Sequence, residues 1–195
     1  MQLEDVQFEE PVNGYYPRED SWLLANHLPD VSGKKCLDMG SGSGIQTIAL
    51  LNNGAASVTC VDVNIHALAA TKKIVEHVFR DATVRYVESN LFEKVDREER
   101  FDVITFNPPY VPSEEIKWME TDGGKKGRET IDRFLEQFSP FLAPKGTVFL
   151  LQTSLNGIQT TEQKLKRMKM NAKIIARKKL SFEELLVWKI TRNET

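Results

Sequence analysis

Five short apolar runs, rich in β-branched and aromatic residues, alternate with stretches of helical period, and this alternation constrains the fold more than any other feature of the chain. The runs occupy 37–39, 57–63, 83–87, 101–106 and 146–151; helical stretches lie at 45–51, 66–79 and 128–142. Strands so uniformly apolar suit a parallel sheet covered on both faces, and the βαβαβ order calls for right-handed crossovers. Beyond residue 160 the pattern changes. A helix over 160–170 precedes two strand-like runs, 172–176 and 185–190, joined by the short polar stretch 177–184. So short a connection permits a hairpin rather than another crossover. Residues 21–27 read as one helix ahead of the first strand. The expected architecture is α/β: a Rossmann-like, seven-stranded, mostly parallel sheet with helices on both faces and a C-terminal antiparallel hairpin. At 195 residues the chain makes one domain, with 1–33 as an N-terminal segment and helix and 34–195 as the core.

Composition removes several function classes. With 41% hydrophobic and 28% charged residues the chain can build a core, which excludes disorder. Lys and Arg number 26 against 28 Asp and Glu, a net charge of −2, so no global positive field draws in nucleic acid or an anionic membrane. Cys36 and Cys60 both sit inside apolar runs and make neither a disulfide framework nor a zinc site; they read as reduced core thiols of a cytoplasmic protein. The acidic N-terminus lacks the apolar stretch of a signal peptide, and no run is long enough to span a membrane. No metal site is expected.

The first local motif is Asp38-Met39-Gly40-Ser41-Gly42-Ser43-Gly44, between the first strand and the helix opening at Ile45. Its glycines allow a tight turn and close approach of a ligand to the backbone, beside a helix N-terminus with unpaired N–H groups. A dinucleotide fingerprint would need glycine where Ile45 stands, and no Gly-Lys-Ser/Thr follows to make a Walker loop. Asp38 instead offers a carboxylate at the strand tip, suited to a ligand ammonium. Asp62 ends the second strand, where a carboxylate can accept from both hydroxyls of a ribose. An amino-acid ammonium plus a ribose describes S-adenosylmethionine. The plainer alternative is a glycine-rich connection flanked by two solvated acids.

The second motif is Asn107-Pro108-Pro109-Tyr110, at the end of the run 101–106. Two prolines stop the ladder and stiffen the turn. The Asn107 side-chain oxygen and the Pro108 carbonyl then become two acceptors of fixed direction, able to bind both hydrogens of a planar –NH2 group. Tyr110 offers a flat face on which an amide or base can stack.

Here the chain resembles the class I S-adenosylmethionine-dependent methyltransferases, and within them the HemK/PrmC group of protein glutamine methyltransferases in its single-domain archaeal and eukaryotic form. The resemblance runs through 16–24, 38–44, 107–111, Gly123-Gly124-Lys125-Lys126-Gly127-Arg128-Glu129 and 184–190. It implies that Asp38 with Gly40, Gly42 and Gly44 holds the methionine end of the cofactor and Asp62 the ribose. Asn107, Pro108, Pro109 and Tyr110 would take the target amide, with Asn107, Pro108 and Tyr110 catalytic and Asn107 also beside the cofactor. Glu19, Asp20 and Ser21 would fold over the cofactor pocket. Asn90, with Leu91, stands where related enzymes carry an acid on the adenine amine. The implied partners are a class I translation release factor, whose Gly-Gly-Gln glutamine is the target, and a small zinc-binding activator pairing with the strand at 83–87, expected at a sheet edge. Residues 1–33 leave no room for the helical substrate-recognition domain of the bacterial enzymes.

Other readings stay open at this stage: methylation of an adenine exocyclic amine in RNA or DNA, protein lysine methylation, and a non-catalytic cofactor-binding scaffold. Nucleic acid needs a basic groove, and the only basic stretch is Lys164, Lys166, Arg167, Lys169, Lys173, Arg177, Lys178 and Lys179, equally a solvated face. His27, His66 and His77 stand singly and read as surface or core residues, as do Trp22, Trp118 and Trp188. Gly123, Gly124 and Gly127 are expected to let their loop close over substrate.

Overall fold

The computed structural model describes residues 2–8, 15–111, 123–124 and 127–193. Trp118, Lys125 and Lys126 lie outside them. The elements in chain order are α1 (Glu19–Ala25), β1 (Lys35–Met39), α2 (Ile45–Asn52), β2 (Ser57–Asp62), α3 (Ile65–Val78), β3 (Val84–Glu88) and β4 (Phe101–Phe106). There follow α4 (Glu129–Gln137), β5 (Leu142–Thr153), α5 (Ile158–Arg167), β6 (Met170–Lys179) and β7 (Glu184–Arg192). The seven strands form one sheet ordered β3-β2-β1-β4-β5-β7-β6. β1 to β5 pair in parallel, and β7 pairs antiparallel to both β5 and β6. The expected architecture is the one observed, with the hairpin at one end and β3 as the edge at the other.

Alternation along the strands divides the core into two layers. Cys36, Val58, Cys60, Val103, Phe149, Leu151 and Val187 point to one face, against Leu24, Ile48, Leu68 and Val75 of α1, α2 and α3. Leu37, Val61, Ile104, Phe106, Leu150 and Trp188 point to the other, against Phe134 and Leu135 of α4 and Leu165 of α5. Both faces are therefore buried, which explains why the strands read as unbroken apolar runs.

Several boundaries differ from expectation by a few residues, among them the end of α4. The helix expected over 128–142 ends at Gln137, a single 3-10 turn follows at Ser139–Phe141, and Leu142 already belongs to β5. Pro140, second residue of that turn, has no N–H for a helical bond and stops the helix. β1 lies between β2, its successor, and β4, so the loops after β1 and β4 diverge at the point where strand order reverses. Open α/β sheets bind ligands in that crevice.

Candidate active site

The crevice is a cavity of about 1000 Å³, at the upper end of ligand pockets. Its wall combines the glycine loop after β1, the tips of β2 and β4, the start of α1, and Leu180, Glu183 and Leu185 of the hairpin. Phe106 fixes how the first two parts meet: its ring packs at a 41° tilt on Phe134 with centroids 4.7 Å apart, and a Cβ on Gly40 would lie 3.3 Å from it. Gly40, at φ +63°, thus has little room for a side chain and adopts backbone that other residues avoid.

Asp62 organises the loop. Its Oδ2 accepts the Gly42 N–H at 2.9 Å and its Oδ1 the Asn64 N–H at 2.8 Å. Burial pushes its pKa up, opposed by those N–H bonds. The residue lines the cavity.

A single buried carboxylate unites the other side. Asp20 in α1 accepts from the Tyr15 hydroxyl (3.1 Å), the Tyr110 hydroxyl (3.0 Å), Asn107 Nδ2 (3.2 Å) and the Ser21 N–H (2.7 Å). Burial and the Asp20 charge hold the Tyr15 and Tyr110 phenols well above the ordinary range, so both stay protonated donors. Asp20 offers acceptors only, which decides how the Asn107 amide is oriented. Its nitrogen must face Asp20 and Ser21, so its oxygen faces away. That oxygen, Asn107 Oδ1, is buried and has no hydrogen-bond partner among the described residues, and the residue lines the cavity. Ser41 Oγ, in the glycine loop, is a second such atom among them.

The Asn-Pro-Pro-Tyr turn is clamped from behind. Asn156 Nδ2 donates to the carbonyls of Tyr110 (3.0 Å) and Gly127 (2.9 Å), and its Oδ1 accepts the Thr153 N–H (3.1 Å). Buried Arg128 donates to the Asn156 and Gly157 carbonyls and pairs with Asp132 at 2.7 Å. Trp188 Nε1 donates to Gln152, whose Nε2 reaches the Asn156 carbonyl at 3.2 Å. The Gly123 N–H donates to the Val111 carbonyl at 2.8 Å, and a Cβ on Gly127 would overlap the Tyr110 carbonyl. Among the described residues, then, Gly123 and Gly127 pack closely against the backbone of the proline turn and Asn156.

Comparison with known proteins follows this geometry. Residues 19–180 match the family model of the methyltransferase small domain. The chain belongs to that methyltransferase family. A Methanocaldococcus jannaschii protein, whose name assigns it to the protein N5-glutamine methyltransferases, is 38% identical over 193 residues, covering 96% of each chain. The human methyltransferase HEMK2 is 30% identical, covering 92% of this chain and 90% of that one. Among solved structures, the E. cuniculi Mtq2–Trm112 complex, described as responsible for methylating the termination factor eRF1, superposes with a TM-score of 0.73. It is 27% identical, covering 93% of this chain and all of that one. This small-domain methyltransferase is thus one of the HemK/PrmC-like protein glutamine methyltransferases, with S-adenosyl-L-methionine as methyl donor.

The wall fits that donor: a loop with glycine at every second position, a carboxylate at the β2 tip, and two buried polar atoms without partners among the described residues. Glu19, Asp20, Ser21, Gly40, Gly42, Asp62, Asn90, Leu91 and the whole Asn107–Tyr110 turn line the cavity. Asp38 and Gly44, also expected at the cofactor, stand behind the lining residues. Asp38 points between the sheet and α2, taking the Thr47 hydroxyl on one oxygen (2.7 Å) and that of Thr105 on the other (3.1 Å). Gly44 accommodates Thr71, only 2.9 Å from where its Cβ would stand. Asn90 is already engaged, its Oδ1 accepting from Arg133 at 3.1 Å. Among the described residues no His/Cys/Asp/Glu group could hold a metal, and no helix is long and apolar enough to cross a membrane.

Burial raises the Asp38 pKa to about 7, against the two hydroxyl bonds that lower it. The native state therefore holds a proton that the unfolded chain has lost, and stability should fall as pH rises from about 4 to 7. Asp38→Asn should flatten that slope in urea unfolding followed at pH 5, 6 and 7; an unchanged slope would assign it to another group.

Proposed function

We propose that this methyltransferase modifies the side-chain amide nitrogen of a glutamine, in the Gly-Gly-Gln motif of a class I translation release factor. The observation that carries it is Asn107 Oδ1: a neutral acceptor, buried, unpartnered and locked in direction by Asp20. No side chain here could deprotonate an amide –NH2 before attack, so what it needs first is two acceptors. As the N–C bond forms and the C–S bond breaks to leave a neutral thioether, the nitrogen becomes strongly acidic and one of its protons passes to water. Asn107 Oδ1 takes one N–H and the Pro108 carbonyl the other. Drawing both hydrogens to one side favours a more tetrahedral nitrogen whose lone pair is aimed into the cavity. S-adenosyl-L-methionine supplies a methyl group on a positively charged sulfur, electrophilic enough to react with so weak a nucleophile. Asp62 would hold its ribose and the Gly40–Gly42 backbone its methionine end, with Glu19 and Ser21 closing the pocket and Leu91 against the base. Asp38 acts through Thr47, by seating α2 under the loop.

The substrate of the Mtq2–Trm112 complex, eRF1, supports the release factor as target, and its Trm112 subunit supports a small partner here. β3, the sheet edge with two of its five residues exposed, is where a zinc-binding subunit could add a strand. The test is transfer of labelled methyl to a release factor: the Gly-Gly-Gln protein should be labelled, a Gly-Gly-Asn variant much less, and RNA not at all. Labelled RNA with an unlabelled release factor would replace this reading by adenine methylation.

A further inference from the structure

The β6–β7 hairpin ends in Ser181 and Phe182, closed by the Leu180 N–H donating to the Glu183 carbonyl at 2.8 Å. Phe182 is 94% exposed. Turn tips favour glycine, asparagine and aspartate, and neither tip residue adopts positive φ, so nothing in the turn calls for phenylalanine. Exposing a whole aromatic ring costs solubility and adds no stability to the fold.

Its position supplies the reason. β6 runs parallel to β5, so the tip stands at the carboxyl end of the sheet, where Leu180 and Glu183 already form cavity wall. Leu155, 59% exposed, lies in the turn after β5, and Ser154 Oγ accepts the Glu184 N–H at 3.0 Å, tying that turn to the hairpin base. The next residue, Asn156, holds the Tyr110 carbonyl. Two exposed apolar side chains thus stand on rigid supports at the cavity rim. Beside them Lys178 and Lys179 are exposed, and neither makes an ion pair among the described residues, whereas Arg177 is paired with Glu184 at 2.5 Å.

We propose that this hairpin tip is a docking site for the body of the protein substrate. Phe182 and Leu155 take an apolar side chain on the surface flanking the target glutamine, and Lys178 and Lys179, on the two faces of the β6 end, flank that contact with positive charge. The inference rests on the amide-methylation reading and adds to it the element that selects the protein. Aromatic side chains fixed at an interface centre carry disproportionate binding energy, while rim charges set encounter rate and salt dependence.

The test compares wild type with Phe182→Ser and with the double variant Lys178→Glu/Lys179→Glu, on an intact release factor and on a short Gly-Gly-Gln peptide. On the intact protein Phe182→Ser should raise KM about tenfold with kcat little changed, the signature of lost ground-state binding. The lysine variant should lower kcat/KM and remove most of its salt dependence. On the peptide, too short to reach the tip, both should match wild type, as should their cofactor affinity. Equal kinetics of wild type and variants on the intact protein would overturn the docking site. So would a lysine variant that loses only affinity for tRNA, which would make the strip an RNA contact. A wild type that methylates neither substrate would instead sink the amide-methylation reading, and the docking site with it.

Discussion

Asn107→Ala is expected to lower kcat for methyl transfer by about a hundredfold while the cofactor dissociation constant moves less than threefold. The magnitude follows from what one aimed hydrogen-bonding group contributes in a site that excludes water, about 10²–10³ in kcat. The selectivity follows from geometry. Asn107 Oδ1 has no partner among the described residues, so its loss removes an interaction made with the substrate amide alone, whereas Asp62 and the glycine loop remain linked through Gly42. Alanine also frees one acceptor site on Asp20, which keeps Tyr15, Tyr110 and Ser21. Asn107→Asp gives the sharper test. Its carboxylate would stand about where the Asn107 amide meets Asp20 (3.2 Å), and two buried like charges there cannot both ionise. In its protonated form the new group donates to Asp20 and turns a carbonyl oxygen toward the substrate, restoring the acceptor. Its kcat should therefore rise as pH falls, opposite in sign to a reaction needing a base. Single-turnover transfer between pH 5.5 and 8, with cofactor titrations alongside, separates the cases. A variant that loses cofactor binding and kcat equally would move Asn107 from the amide to the cofactor.

What the sequence made legible was local. The glycine loop, the Asp62 tip and the proline turn each lie within a few residues, and each constrains its own backbone, so motif and geometry coincide. The links between them span 46 residues from Tyr110 to Asn156 and 87 from Asp20 to Asn107, distances at which no spacing rule operates. Asp20, Asn107 and Tyr110 each carried a separate expected role; that one carboxylate joins them emerged only in three dimensions. Tyr15, Arg128, Gln152 and Asn156 gave no chemical signal, because an asparagine bonded to two distant carbonyls reads as an ordinary surface residue. The direction of Asp38 was legible in the strand pattern. Strand alternation puts it on the face of Cys36, opposite Leu37 and Met39, and so toward α2 and Thr47, not toward the cavity. The end of α4 could likewise have been read from Pro140.

Gly127→Ala should cost about 3 kcal/mol or more of stability and most of the methyl-transfer rate, from a residue with no side chain and no place in the cavity wall. Two penalties combine. Gly127 sits at φ +62°, where a Cβ costs about 1–2 kcal/mol. The new atom would also overlap the Tyr110 carbonyl and stand 2.6 Å from Asn156 Nδ2. Neither neighbour can yield cheaply. The Tyr110 carbonyl ends the proline turn, and Asn156 is fixed on all sides by Thr153, Gln152 and Arg128. Relief must come from shifting the turn, which leaves a carbonyl without its Asn156 bond at about 1–3 kcal/mol and moves the acceptors that hold the amide. An ångström of displacement there is enough to lose about 10²-fold in rate. Gly33→Ala is the matched control: at φ +72° it carries the same backbone penalty, but nothing lies within 4 Å of its Cβ. Urea unfolding of both variants should show the control losing about 1 kcal/mol with unchanged kinetics, and Gly127→Ala losing clearly more, with kcat falling and cofactor affinity held. Equal losses in the two would mean that strain alone accounts for Gly127, and that the clamp behind the proline turn does not position the acceptors.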